Sequence, residues 1–344
     1  MFYVNLPVGI LGMAGLIFFL SPDKEVETKP FDTIGFGFFA VAIGALQLML
    51  DRGTTKGWFS SGEIVTEAVV AGLGLYLFIV HFFTAKRTFI PHGLLTDRNY
   101  LSAMTLTFVI GMLMLATTAL LPPFLQTLGG YSVMDTGLMM APRGLGTIIT
   151  MFLIGDMVMR IDVRIPMAIG CAGLSWSMWE MAHWTPDVTV VSLAITTFVQ
   201  GLSMGLVYIP CNIMAFATLP ARLRTDASAM INLVRNVGSA IGISVTSTEL
   251  ADNAQIVHAT LASHVSFFNR ALDVNAQSLM WSPHMPTGLA ALDGMIERAA
   301  MSVAYSDVFY MMLFLSLPTF VVLALIPRPE PTLDDVELEM TFLE

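Results

Sequence analysis

The feature that most constrains this sequence is a series of apolar runs that are long enough to cross a membrane. A transmembrane helix needs about 17 to 25 mostly apolar residues. Hydrophobic residues make up 55% of the chain and charged residues 12%, so few polar side chains remain to cover a water-soluble surface. Hydrocarbon offers the backbone no hydrogen-bond partners, and the runs lack the alternation of barrel strands. The sequence therefore predicts an all-α polytopic membrane protein.

Nine of these runs are predicted to be transmembrane helices. They lie near residues 2–20, 34–50, 64–83, 101–121, 137–159, 165–182, 188–218, 227–250 and 305–326. An odd number of crossings places the two termini on opposite sides of the membrane. If the loop after the first span is cytoplasmic, that side carries ten lysines and arginines and the other side four. The excess of basic residues on the cytoplasmic side then predicts a cytoplasmic C-terminus.

Two segments outside the spans have distinctive compositions. The stretch 251–304 contains "AQIVHATLASHVSFFNRAL", where apolar residues at helical spacing predict short amphipathic helices on the outer face. Such helices could be a plug packed on the rim of the bundle or a docking surface for a periplasmic adaptor protein. The tail 327–344 is acidic and the net charge of the chain is −10, which argues against nucleic acid as a partner.

Charged side chains inside predicted spans need a partner or a water-filled cavity, because burying each one costs roughly 2.5 to 3.5 kcal/mol. Arg235 lies about two turns into its helix with Asn232 and Asn236 beside it. It is either a cation that lines a substrate cavity or an arginine that bonds carbonyls of a neighbouring helix. Arg143 lies near the outer end of its span, where a role as an interface anchor is favoured.

Other candidates in the spans also have two interpretations. Asp156 and Arg160 stand four residues apart and could form a gating latch or a local salt bridge. Small residues repeat at a spacing of four, which favours helix packing and also suits a sliding contact in a transporter; these are Gly201 with Gly205 and Gly238 with Gly242. Uncharged polar side chains could line a substrate path or join helices to each other; these are Gln47, Gln126, Gln200, Tyr208 and Asn212.

The sequence gives no firm motif for an enzyme. It contains no G-x-x-x-x-G-K-[ST] phosphate loop and no H-E-x-x-H. Its G-x-S-x-G match, "GLSMG" at 201–205, lies inside an apolar run and not at a turn between a strand and a helix. The six histidines are scattered, and both cysteines fall in apolar runs. We therefore predict no catalytic residues, no metal site and no cofactor. Uphill transport would then draw its energy from an ion or proton gradient, or from a separate subunit.

Several segments follow one another in the order of a known family. They are "FYVNLPVGI", "LDRGTTKGWFSS", "DRNYLSA", "LPPFLQTLGGYSVMDTGLMMAPRGLGT" and "GLSMGLVYIPCNIMAFATLPARLRTDASAMINLVRNVGSAIG". The last of these is the most specific, because it holds two spans, an arginine-containing loop and an R-x-x-G-x-x-x-G pattern. The chain resembles the fourteen-span drug:proton antiporters of the major facilitator superfamily, the EmrB/QacA type.

The resemblance implies that the nine spans correspond to spans six to fourteen of fourteen in a major facilitator helix bundle. Residues 1–20 would be the last helix of the N-terminal half, and residues 21–100 two linker helices. Residues 101–326 would be the C-terminal six-helix half, including the outer loop 251–304. Residues 327–344 would be a cytoplasmic tail. On this view the chain lacks five helices and Met1 is an internal methionine.

The resemblance also implies a function. The protein would be a multidrug efflux permease of the bacterial inner membrane, which exports lipophilic compounds in exchange for protons. A periplasmic adaptor protein and an outer-membrane channel are implied partners. Two alternatives stay open: a C-terminal half-transporter that pairs with a separately encoded N-terminal half, and a membrane protein that does not transport.

Overall fold

The computed structural model describes residues 5–19, 32–85, 88–220, 223–265 and 286–325, apart from the side chains at positions 5, 8, 92, 156 and 158–160. Helices account for nearly all of this described part, and it contains no strand. The helices are α1 Asn5–Phe19, α2 Thr33–Lys56, α3 Gly62–Thr84, α4 His92–Thr96, α5 Arg98–Pro123, α6 Val133–Arg160, α7 Arg164–Ala182, α8 Val190–Ala217, α9 Arg224–Ser263, α10 Pro286–Ser316 and α11 Pro318–Leu325.

Side-chain caps mark where several of these helices begin. The first amide groups of a helix have no backbone acceptor within the helix, and Asp, Ser or Thr side chains can accept from them. Asp32 accepts from Gly35 N at the start of α2, and Asp97, Ser132 and Thr189 cap α5, α6 and α8 in the same way. These caps lie just ahead of the apolar runs, so they fix the helix starts close to the membrane surfaces.

The length and hydropathy of the helices support a membrane bundle. Fewer helices meet the length and hydropathy criterion for a span than the nine predicted from sequence. Within the described residues, six stretches are long and apolar enough to cross a membrane: Thr33–Lys56, Gly62–Thr84, Arg98–Leu128, Val133–Gly155, Val190–Ala217 and Pro286–Leu325. The predicted spans on α1, α7 and α9 do not meet this criterion. The described part of α1 contributes a shorter apolar helix, Gly9–Phe19, and α9 carries several polar side chains. The all-α bundle is confirmed, and the count of nine stays a prediction.

The structure differs from the predicted short helices in the stretch 251–304. Residues 251–263 simply continue α9, and α10 already begins at Pro286. Between Leu250 and Ser263 there is neither glycine nor proline, so nothing in the sequence interrupts the helix. At 40 residues, α9 is about 60 Å long, twice the thickness of the hydrocarbon. Residues 266–285, which include Phe268 and Leu272 of the predicted amphipathic segment, lie outside the described residues.

The helices from α5 to α10 pack around two apolar clusters. One cluster surrounds Tyr100, which is fully buried and donates a hydrogen bond of 2.9 Å to the carbonyl oxygen of Ala227. The second cluster lies toward the other end of α5, where Phe124 contacts the rings of Tyr305 and Phe309. Each cluster joins side chains from at least four helices, so the C-terminal part of the chain forms a continuous core.

Glycines allow two helix pairs to approach at backbone distance. On α5, a Cβ atom added to Gly111 would lie 2.5 Å from the carbonyl oxygen of Arg235 on α9. On α9, a Cβ on Gly242 would lie 2.5 Å from the Met112 carbonyl oxygen. Gly201 on α8 packs against the backbone of α6 in the same manner. Because no side chain larger than hydrogen fits at these positions, the glycines set the distance between α5 and α9 and the distance between α6 and α8.

The hairpin of α2 and α3 is attached to this core through α9. Ser244 Oγ donates to the carbonyl oxygen of Leu50 at 2.9 Å. Thr248 Oγ1 lies 3.1 Å from Thr54 Oγ1 and accepts from Trp58 Nε1 at 3.2 Å. The hairpin therefore docks through polar contacts made near the C-terminal end of α2.

At the opposite end of the hairpin, Asp32 joins α2, α3 and the loop that follows α3. Its carboxylate oxygens lie 3.0 and 3.1 Å from His81 Nε2, and they accept from the amides of Gly35 and Phe89 at 2.9 and 3.3 Å. Burial raises the pKa of Asp32, but the hydrogen bonds from Gly35, His81 and Phe89 outweigh it and hold the pKa below the ordinary value of 3.8. The folded protein thus favours the ionised form.

We expect the close glycine contact between α6 and α8 to be required for stability. Gly201→Ala should destabilise the purified protein in detergent by about 1 to 3 kcal/mol, because the new methyl group overlaps the Arg143 carbonyl. Gly144→Ala on α6 is the matched control, since no atom lies within 4 Å of its added Cβ. That control should be neutral or stabilising by up to about 1 kcal/mol. Equal losses in thermal unfolding for both variants would contradict the packing role.

The Asp32 contacts predict a pH-dependent contribution to stability. Because the pKa is lowered on folding, the carboxylate stabilises the folded state above the ordinary value of 3.8, and this contribution is lost as the pH falls through the lowered pKa. Asp32→Asn should therefore unfold at a lower temperature than the parent near neutral pH, with the gap narrowing below about pH 4. His81→Phe should reproduce part of the loss. A gap that stays constant down to the acid limit would speak against this account.

Candidate functional site

Arg235 is the central residue of the candidate site. It lies 11 residues after the start of α9, which corresponds to about 16 Å along the helix axis. Its Nη1 donates a short hydrogen bond to the hydroxyl oxygen of Tyr208 on α8. Its Cζ also lies 5.5 Å from the centroid of the Tyr208 ring, within the range of a cation–π contact. The guanidinium is thus half-buried between α8 and α9.

No carboxylate neutralises this guanidinium in the part of the chain that the structure describes. The ion pairs found there join Glu63 with Arg52 and Lys56, Asp32 with His81, and Asp293 with His258. A tyrosine hydroxyl and a ring face only partly replace the hydration of a cation. Arg235 therefore retains the capacity to bind an anion or the acceptor oxygen of a ligand.

Arg143 on α6 lies against α5 and α8. Its Nη2 donates to the carbonyl oxygen of Met114 at 3.3 Å and lies 3.7 Å from the sulfur of Met204. Met114 is three residues after Gly111 on α5, and Met204 is four residues before Tyr208 on α8. The side chain thus points between helices, which differs from the interface anchor that the sequence favoured. Among the described residues, its hydrogen-bond partners are a carbonyl oxygen on α5 and a sulfur on α8.

The asparagines near Arg235 are mostly engaged with their own helices. Asn232 Nδ2 donates to the carbonyl oxygen of Ser228 at 3.0 Å, and Asn212 Nδ2 donates to the carbonyl oxygen of Tyr208 at 2.7 Å. Asn236 faces away from Tyr208, toward α2. The structure therefore joins Arg235 to Tyr208. Asn212 lies one turn after Tyr208 on α8, Asn232 lies about one turn before Arg235 on α9, and Asn236 lies on a separate face.

The predicted glutamines do not join this group. Gln126 is exposed in the single π-helical turn Phe124–Leu128, beyond the end of α5. Gln200 is 1% exposed on α8, and neither end of its amide has a hydrogen-bond partner among the described residues. A buried amide without partners is costly, so Gln200 is better placed to bond across helices in another arrangement of the bundle than to meet a ligand here.

The remaining predicted positions divide in two. The four glycines all lie at close helix contacts: Gly201 and Gly205 on the α6–α8 contact, Gly238 and Gly242 on the α5–α9 contact. These contacts favour a role for the glycines in helix packing. The side chains of Asp156 and Arg160 lie outside the described residues, so the choice between a latch and a local salt bridge stays open.

A second polar region was missed from the sequence. A cavity of about 540 Å³ lies between α2, α5 and α9, and Asp51 is one of its lining residues. The predicted span ended at Leu50, whereas α2 continues to Lys56 and keeps Asp51 on the helix. Gln47 and Asp51 are four residues apart, followed by Thr54 and Thr55, and this spacing on one helical face was the available signal.

Cysteine and metal chemistry find no support among the described residues. No group of three or more His, Cys, Asp or Glu side chains there is placed to hold a metal ion. Cys211 is buried and its sulfur lies 3.5 Å from the carbonyl oxygen of Ala103 and 3.6 Å from Thr107 Oγ1. Cys171 is also buried and free. Both thiols contribute to packing between helices.

Long apolar helices, with Arg235 lacking a carboxylate partner among the described residues, define a multi-span membrane protein with a candidate polar site between its helices. The chain belongs to the Major Facilitator Superfamily, whose sequence profile matches residues 1–243. The resemblance found in the sequence motifs is thereby confirmed.

The curated relatives of this chain include several export and resistance proteins. It is 28% identical over 270 residues to the multidrug export protein EmrB of Haemophilus influenzae, covering 78% of this chain and 53% of that protein. It is 29% identical over 280 residues to the fatty acid resistance protein FarB of Neisseria gonorrhoeae, covering 81% and 55%. It is 30% identical over 272 residues to the multidrug resistance protein Stp of Mycobacterium tuberculosis, covering 77% and 48%. The chain thus spans about half the length of these relatives.

A solved structure shares the fold. It is the crystal structure of a bacterial homologue of the human lysosomal transporter Spinster, in an inward-facing and occupied conformation. The two chains superpose with a TM-score of 0.50 at 14% sequence identity, over 87% of this chain and 66% of the other. At this identity the likeness concerns the helix bundle and carries no information about substrate.

Proposed function

We propose that this chain forms the C-terminal part of a multidrug efflux permease that exports lipophilic compounds by proton antiport. The observation that carries the proposal is Arg235, a cation between α8 and α9 that contacts Tyr208 and has no carboxylate partner among the described residues. In a hydrocarbon environment such a residue marks a ligand or ion pathway. The names of two relatives, a multidrug export protein and a multidrug resistance protein, support outward transport and drugs as the class of substrate.

The proposed transport mechanism is alternating access, in which two helix bundles rock about a site near the bilayer midplane. Arg235 and Tyr208 would contact a polar group on an otherwise apolar substrate, and methionines such as Met204 would adapt to its apolar body. The relative named for fatty acid resistance makes a carboxylate one reasonable partner for Arg235. Protons moving inward would supply the energy, and no catalytic chemistry is assigned to the chain.

The proposed organisation follows the family. Residues 1–20 would close the N-terminal half, residues 21–100 would form the linker hairpin, and residues 101–326 would form the six-helix C-terminal half. The protein would reside in the bacterial inner membrane with the tail 327–344 in the cytoplasm. The outward extensions of α9 and α10, joined by a 3.1 Å contact between His258 and Asp293, would offer a surface to a periplasmic adaptor protein and an outer-membrane channel.

The main alternative is a half-transporter that functions with a separately encoded N-terminal half. A membrane protein without transport activity is the second alternative. Ungated ion conductance or hydrolase activity in the purified protein would favour it.

We expect the chain alone to give no vectorial drug export from proteoliposomes with an imposed proton gradient, because it would supply only part of the cavity wall. Co-production with an N-terminal half from a relative should restore proton-dependent export. Dissipating the gradient with an ionophore is the control. Export by the chain alone would contradict the proposal that it supplies only part of the wall of the transport cavity.

Arg235→Ala should reduce export by about tenfold or more in the form that transports, which corresponds to the loss of one charge-assisted contact. Arg235→Lys should retain part of the activity, because it keeps the charge but changes the geometry of the donors. Arg52→Ala is the matched control, since Arg52 is an exposed arginine paired with Glu63 at 2.6 Å. Drug accumulation at equal membrane expression is the measurement. Unchanged accumulation in Arg235→Ala would remove this residue from the substrate path.

A further inference from the structure

The cavity between the linker hairpin and the C-terminal bundle has its own chemistry. Its wall is formed by α2 on one side and α9 on the other, with one residue from α5. The lining residues are Gln47, Leu50, Asp51, Thr54, Thr55, Leu115, Asn236, Ser239, Ala240, Ile243, Ser244 and Ser247. At about 540 Å³ the cavity falls within the size range of small-molecule sites.

Four polar side chains of this lining have no hydrogen-bond partner in the described part of the chain. They are Gln47, Asp51, Asn236 and Ser247. The others are already engaged: Ser239 Oγ donates to the Gly111 carbonyl oxygen at 3.0 Å, and Ser244 and Thr54 hold α2 against α9. Gln47, Asp51 and Asn236 are exposed and Ser247 is partly exposed, so all four are accessible to a ligand that enters the cavity. They face one space, and a single polar ligand could therefore contact several of them.

Asp51 sets the charge of that ligand. It is the single ionisable side chain among the described lining residues. The nearby cations are committed elsewhere, because Arg52 and Lys56 both pair with Glu63, at 2.6 and 3.1 Å. A carboxyl group in this position favours a cation, and the amides and hydroxyls around it can donate to acceptor oxygens on the same molecule.

We propose that this cavity binds the ammonium head of an amphiphile, with Asp51 as its counter-charge, and that a bilayer aminophospholipid supplies it. Asn236 and Gln47 would donate to the phosphate or ester oxygens. Leu50 and Leu115 would contact the first carbons of the acyl chains. One cavity thus offers a place for each part of such a molecule.

The position of the cavity suits a lipid headgroup. Asp51 stands 18 residues after the start of α2, about 27 Å along the helix, so it lies near the far surface of a hydrocarbon core about 30 Å thick. Lipid headgroups occupy that level. The neighbouring Leu48 is 47% exposed on the outer side of α2, so bilayer lipid has access to the helix that bears Asp51.

This site is separate from the proposed substrate path. Consecutive residues of a helix point about 100° apart, and accordingly Arg235 contacts Tyr208 on α8 while Asn236 lines the cavity beside α2. The two sites also carry opposite charge. Lipid binding at Asp51 can therefore be tested without any transport assay.

The test uses the purified chain and native mass spectrometry of lipids retained from an equimolar mixture of phosphatidylethanolamine and phosphatidylglycerol. The parent should retain phosphatidylethanolamine about tenfold more than phosphatidylglycerol, the effect of one charge-assisted contact. Asp51→Asn should lose this preference, and Asp51→Glu should keep it. Glu67→Gln is the matched control, since it removes a carboxylate of the same hairpin that does not line the cavity and pairs with neither Arg52 nor Lys56, and it should leave the preference unchanged.

Two further arms keep the proposal falsifiable. Ile243→Phe fills the cavity while leaving Asp51 intact, and it should also lower phosphatidylethanolamine retention if the protein elutes as a folded species. Dodecylamine should displace phosphatidylethanolamine from the parent. If dodecylamine binds in an Asp51-dependent way but phosphatidylethanolamine does not bind at all, a bilayer lipid is not the source of the ammonium group. A lipid preference that survives in Asp51→Asn would overturn the site.

Discussion

The absence of hydrogen-bond partners in hydrocarbon governs the rest of this structure. It drives the backbone into helices, and it also forces every polar side chain at membrane depth to find a partner on another helix, in its own backbone or in a ligand. Most of them comply: Tyr100 bonds the carbonyl oxygen of Ala227 and Ser239 that of Gly111. The few that do not, above all Arg235 and Asp51, are where function is assigned. Their incomplete pairing carries more information than their presence in the sequence.

The helices could be predicted from sequence because apolar run length reports directly on the solvent around them. The starts of α5 and α6 were placed too late, at residues 101 and 137, although Asp97 and Ser132 are of the residue types that cap a helix start. The ends of α2 and α9 were also misplaced. Hydropathy falls after Leu50 and Leu250, yet α2 and α9 both continue, because a helix ends where its backbone bonds stop and not where its apolar face does. The error at Leu50 concealed Asp51, and the error at Leu250 suggested separate amphipathic helices.

The candidate site was only partly readable for a different reason. A charge inside an apolar run identifies Arg235 without knowledge of the fold, but its partner Tyr208 lies 27 residues earlier on another helix. Which glutamine lines a cavity depends on the rotation of each helix, and that rotation is set by close contacts such as Gly111 against Arg235. Gln200 lies in the core and Gln47 lines a cavity. Both are glutamines within apolar runs, so the sequence alone does not predict which of them is buried.

α9 connects the features that the function requires. Gly238 and Gly242 hold it at backbone distance from α5, and Arg235 joins it to α8. Ser244 and Thr248 attach the linker hairpin farther along the same helix. Small residues at a close contact permit sliding without interlocking side chains, whereas the polar bonds to the hairpin resist it. In the proposed mechanism, a displacement of α9 against α5 would therefore carry α2 with it. Such a motion would alter the contact between Arg235 and Tyr208, whereas the two main walls of the Asp51 cavity, α2 and α9, would move together. The two sites of opposite charge on adjacent faces of α9 would then respond differently to the same motion.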